Sequence, residues 1–79
     1  MENQRAFLVS THRDHFQAGQ PAEILGVRFI TPDGLTPRTC YHLLFPDGRE
    51  DFMPLSEAHH FEIISEDDHV AGKIPAVTN

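Results

Sequence analysis

Two β-rich runs, RTCYHLLF at 38–45 and REDFMPL at 49–55, flank the tripeptide Pro46-Asp47-Gly48, and no other feature constrains the fold as much. Proline presets the first turn position, aspartate bonds to its own nearby backbone, and glycine takes a positive φ. With β-formers on both flanks, this spacing predicts an antiparallel hairpin. On the first run Tyr41, Leu43 and Phe45 share one face, and Cys40, His42 and Leu44 share the other. On the return Phe52 and Pro54 alternate with Met53 and Leu55. Phe52 is expected to feed a core, and Pro54 to end the strand because it has no N–H to donate.

The rest of the chain reads as short strands and turns. AFLVS, residues 6–10, suits a strand. Thr11 with Asp14 three places on matches a capping box, and Gly19 is a natural stop, so one helical turn or a loop fits 11–20. Beyond Pro21, Leu25, Val27 and Phe29 alternate with Gly26 and Arg28. Ile24 and Ile30 fall on the opposite side, so this strand is either covered on both faces or bent at Gly26. Its end, Thr31-Pro32-Asp33-Gly34, is turn chemistry, and Pro37 lengthens the loop. Ser56 is placed to cap a turn over 56–60, and FEII at 61–64 makes a last strand. Residues 1–65 therefore form one domain of mainly β structure. Residues 66–79, charged then neutral and without periodicity, are expected as a flexible tail.

The order of strand, tight turn, strand, short turn and strand over YHLLFPDGREDFMPLSEAHHFEII, 41–64, resembles the second half of small SH3-like and Tudor-like barrels. The resemblance implies an antiparallel barrel of about five short strands with one or two helical turns. It implies no activity, since a fold does not carry its function with it. The Trp and the Ala-Leu-Tyr-like strand of peptide-binding SH3 domains are missing here. Tudor-type domains hold methylated ligands in an aromatic cage. Tyr41, Phe45 and Phe52 are this chain's candidates for a partial cage, with core packing as the competing use of the same rings.

Size and charge narrow the function classes. A chain of 79 residues buries only about 60% of its unfolded surface and leaves no room for a cleft between domains. Lys and Arg total 6 against 12 Asp and Glu, a formal charge of −6. That balance disfavours a nucleic-acid backbone, which needs clustered cations, and suits a basic protein patch or plain solubility. Cys40 is the only cysteine, so no intramolecular disulfide is available, and a reducing, cytoplasmic setting is expected. MENQRAFLVS is neither a signal peptide nor a membrane span.

Chemistry-bearing residues are scattered. His12 and His15 share one side of any helical turn, His59 and His60 are adjacent, and His42 lies on the strongest strand. No CxxC or HExxH spacing is present, so no metal or cofactor is expected; His12, His15 and a further histidine are the remote alternative. Asp47, Glu50 and Asp51 lie at an exposed turn, where acid–base catalysis lacks the burial that shifts a pKa. Asp47 is turn chemistry, while Glu50 and Asp51 are left solvated or facing a partner. The sequence thus reads as a non-enzymatic interaction module that docks on a protein, a second copy included, through an acidic loop face and a partly exposed apolar strand. The alternative is a Tudor-like binder of a small or methylated ligand.

Overall fold

The computed structural model describes residues 5–15, 18–31 and 33–77. Five strands, β1 (Ala6–Ser10), β2 (Ala22–Ile30), β3 (Arg38–Leu44), β4 (Glu50–Pro54) and β5 (Phe61–Ser65), make one antiparallel sheet in the order β4-β3-β2-β1-β5. The fold is mainly β, as the alternation predicts. β4 and β5 are the two edges, so the ladder stays open instead of closing into a barrel. A 3₁₀ segment, Leu55–His60, leads into β5, and a short helix α1, Glu66–Val70, follows it.

The Pro-Asp-Gly turn forms as a three-residue loop. Phe45 N–H donates to Arg49 O at 2.8 Å, Gly48 N–H donates to Phe45 O at 2.9 Å, and Gly48 has φ +90°. This is a turn followed by a left-handed residue, which lets the strands keep their twist. Asp47 Oδ1 accepts from Arg49 N–H at 3.0 Å and holds the turn from inside. The loop after β2 uses the same device, with Asp33 Oδ1 accepting from Leu35 and Thr36 N–H at 2.9 and 2.8 Å. These bonds pull the Asp33 carboxyl below its usual range.

β2 resolves the question posed by its double-sided pattern. Ile24 pairs with Leu43, Gly26 with His42 and Val27 with Tyr41, so Leu25 is the extra residue of a β-bulge. The bulge resets the alternation. Ile24, Val27 and Phe29 share the face of Tyr41 and Leu43, and the expected trio of Leu25, Val27 and Phe29 is broken at its first member.

Two apolar clusters hold the sheet. Leu8, Ala22, Leu43, Phe45 and Phe61 are buried together, with Ile24, Tyr41 and Met53 packed against them. Phe7, Val9 and Ile64 form the second cluster, because alternation on β1 and β5 sends them to the other side. β1 is therefore covered on both faces, and its central residues Leu8 and Val9 are 1% and 0% exposed.

Two local expectations need correction. The 3₁₀ segment begins at Leu55 with Pro54 as its N-cap and no side-chain cap, so Ser56 does not cap it. The stretch from residue 66, expected as tail, opens with α1. Ser65 Oγ caps it by accepting from Asp68 N–H at 3.1 Å. Among the described residues no helix is long and apolar enough to cross a membrane.

Candidate functional site

The β3–β4 hairpin fixes where the candidate acids point. Register pairs Leu43 with Asp51 and Leu44 with Glu50, so the two neighbouring acids project from opposite faces of the sheet. Glu50 Oε1 lies 2.6 Å from His42 Nε2, a diagonal pair across the two strands. Asp51 Oδ1 accepts from Phe52 N–H at 2.8 Å. Asp47 is engaged in the turn. All three acids are exposed, but they do not converge on one point.

The three candidate rings are also separated. Phe45 is buried in the main cluster, and Tyr41 packs edge-on against Phe61 with centroids 5.9 Å apart. Phe52 lies directly opposite His42, hence on the other face, where it stacks on that imidazole at 4.9 Å. Phe52 is 36% exposed, so it does not feed the core as alternation had suggested. Phe45 and Tyr41 serve packing, and no cage opens among Tyr41, Phe45 and Phe52.

β2 carries three neighbouring exposed apolar side chains. Val27 and Phe29 are 55% and 74% exposed and Leu25 on the bulge is 46% exposed. β1 pairs with β2 only at Ala22 and Glu23, so the far half of β2 is hydrogen-bonded to β3 alone among the described residues. Cross-strand register puts Phe29 opposite Thr39, Val27 opposite Tyr41, and Asp51 opposite Leu43. Val27, Phe29 and Asp51 consequently share one face. The sequence did not single out Val27 and Phe29 as site residues, because their alternation reads equally well as core.

A groove between β1, the β3–β4 turn and α1 is lined by Arg5, Phe7, Glu23, Leu44 and His69. Its cation is answered within the chain. Arg5 Nη2 lies 2.9 Å from Glu66 Oε2 and Nη1 3.5 Å from Glu23 Oε1. These carboxylates, Glu66 first, raise the Arg5 pKa above its ordinary value.

Histidines that lie far apart in the sequence meet at one end of the sheet. His15 and His60 flank the carboxylate of Glu57 in the 3₁₀ segment, and the ring of His12 lies against both of those imidazoles. His42 and His69 lie elsewhere, one on Phe52 and one on Phe7. Comparisons with protein-family models, with curated proteins and with solved structures find no match for the chain.

Proposed function

We propose that this chain is a small non-enzymatic interaction module that binds a protein partner through the Val27–Phe29 side of β2 and the acidic β3–β4 hairpin. The observation that carries this reading is the exposure of Val27 and Phe29, 55% and 74%, on a sheet face that also bears Asp51. Apolar side chains clustered in water with a polar rim mark contact surfaces, and aromatic anchors dominate their energetics. Removing a Phe side chain from water is worth about 1.5–3 kcal/mol, more than a rim charge contributes. The partner that fits offers an apolar pocket for Phe29 and a Lys or Arg for Asp51 on the same face, and reaches Glu50 only around the β4 edge.

The sheet order β4-β3-β2-β1-β5, with a 3₁₀ segment before the last strand, supports the SH3-like reading of the architecture. Cys40 as the single cysteine supports a reducing, cytoplasmic setting.

Affinity purification from the source cells tests the proposal, using the native chain, Val27→Ser with Phe29→Ser, and Glu50→Lys with Asp51→Lys. One protein retained by the native form and depleted at least tenfold by each double variant supports it. Retention unchanged by both variants, or no protein retained by the native chain, refutes it. Sedimentation of the native chain identifies the case in which the partner is a second copy.

A further inference from the structure

We propose that His15, His60 and Glu57 form a binding site for a divalent transition-metal ion of the zinc class, with the imidazole of His12 on its remaining side. The site follows from strand pairing. β1 and β5 are antiparallel with Ser10 opposite Phe61, so residues leaving β1 adjoin residues entering β5. Thr11 N–H donates to His60 O at 2.8 Å and pins the two segments where they cross. A turn closed by His15 N–H to His12 O at 2.9 Å then presents both early histidines toward the 3₁₀ segment.

The side chains converge as ligands do. One ligand atom from each of His15, Glu57 and His60 lies within 4.8 Å of the other two. Glu57 Oε1 is 3.7 Å from His15 Nε2 and 3.6 Å from His60 Nδ1. Neighbouring ligand atoms on tetrahedral zinc are about 3.3 Å apart, given bonds of 2.0–2.1 Å. The two separations from Glu57 are thus slightly wider than in a loaded site, and the two histidine nitrogens are within 4.8 Å of each other, so side-chain rotation has to draw the group together. The distances are too long for hydrogen bonds, and His60 Nδ1 is buried without a hydrogen-bond partner. An ion among these atoms satisfies that nitrogen and the carboxylate together.

His12 lies beside this group, its ring centroid 4.7 Å from that of His60 and 5.4 Å from that of His15, and needs a side-chain rotation to join it as a fourth ligand. Its Nδ1 accepts from Asp14 N–H at 3.3 Å, so ligation through Nε2 requires the ring proton to move to Nδ1 and that bond to give way to one toward Asp14 Oδ2, now 3.9 Å away. A carboxylate behind a ligating imidazole is the usual means of fixing its orientation. Imidazoles with a single carboxylate select zinc, cobalt, nickel or copper, whereas calcium and magnesium require more oxygens. All four side chains remain partly exposed, so an ion has access.

Thermal unfolding of the full chain with zinc chloride, then with EDTA, tests the site independently of any protein partner. Zinc at about a hundred times its Kd is expected to raise Tm on the order of 10 °C, and EDTA to reverse the rise. Calcium and magnesium are expected to leave Tm unchanged, and cobalt to give the intense visible bands of a low-coordinate centre. His15→Ala and Glu57→Gln, each verified as folded by circular dichroism, abolish the zinc response, while His42→Ala on the distant hairpin retains it. No zinc response in the native chain overturns the proposal. So does a response that survives in His15→Ala and Glu57→Gln, or one lost equally in His42→Ala. An unchanged zinc affinity in His12→Ala removes His12 from the coordination shell.

Discussion

The ring of His69 lies flat on Phe7, with centroids 4.1 Å apart and planes 21° from parallel. One residue is on α1 and the other on β1, so this contact binds the chain after β5 to the most buried strand. Phe7 is 5% exposed, and His69 supplies part of that cover. A stacked ring pair contributes about 0.5–1.5 kcal/mol beyond its buried area. In a domain of this size 1 kcal/mol moves Tm by about 4–8 °C. His69→Ala is therefore expected to lower Tm by several degrees. Ending the chain at Ser65 lowers it further, because Glu66 is lost with the ring. Calorimetry on both variants checks this, and a truncated chain melting with the native one refutes it.

That helix shows where sequence pattern stopped being informative. Five strands, their bounds to within a residue or two, and the Pro-Asp-Gly turn follow from alternation and turn chemistry, both local properties. α1 is one turn with a Ser65 cap, too short for a helical period to register, and what holds it is tertiary. The bulge at Leu25 was legible only as an ambiguity, since Gly26 permits a bend without locating the extra residue. Site residues fared less well for the same reason. Whether Val27 is core or surface depends on how far β1 runs beside β2. That His15 meets His60 depends on the pairing of Ser10 with Phe61, which no spacing along the chain encodes.

Arg5 and Glu66 make a bridge that responds to acid. Arg5 Nε and Nη2 both donate to Glu66 Oε2, at 3.0 and 2.9 Å. The Arg5 hydrogen bond is the main cause holding the Glu66 carboxyl below its ordinary value. A carboxyl depressed in the folded state adds stability above its unfolded pKa of about 4.3 and loses it as pH falls through the folded value. Tm of the native chain should then fall more steeply below about pH 4.3 than Tm of Glu66→Gln. Both partners are exposed, so the effect is small and shrinks in high salt. Parallel Tm–pH curves for the two proteins exclude the assignment.

Cys40 provides a probe of opening. Its side chain is fully buried on β3 between Arg28 on β2 and Pro54 on β4, and Sγ lies 3.8 Å from Arg38 O. Burial raises the thiol pKa above its usual value, opposed in part by Arg38. The thiolate is the reactive form, so both access and ionisation protect this residue. Alkylation at pH 8 is expected to be at least a hundredfold slower in the native chain than in urea, at a rate that tracks opening of the β3–β4 pairing. Mass spectrometry of timed samples measures this, and equal labelling in both conditions contradicts the burial.

Two glycines should respond to alanine with opposite signs. Gly48 has φ +90° in the turn, a conformation an alanine adopts only with strain. Space is not the obstacle there, since a Cβ would meet nothing within 4 Å. Gly48→Ala is expected to cost about 1–2 kcal/mol through the backbone alone. Gly26 follows the bulge in β2 outside the left-handed region and in equally open surroundings. Alanine there removes unfolded-state freedom without strain and is expected to stabilise by about 0.4–1 kcal/mol. Urea unfolding with a shared m-value separates the two. If Gly26→Ala destabilises as much as Gly48→Ala, the backbone at the bulge needs glycine for a reason other than its φ.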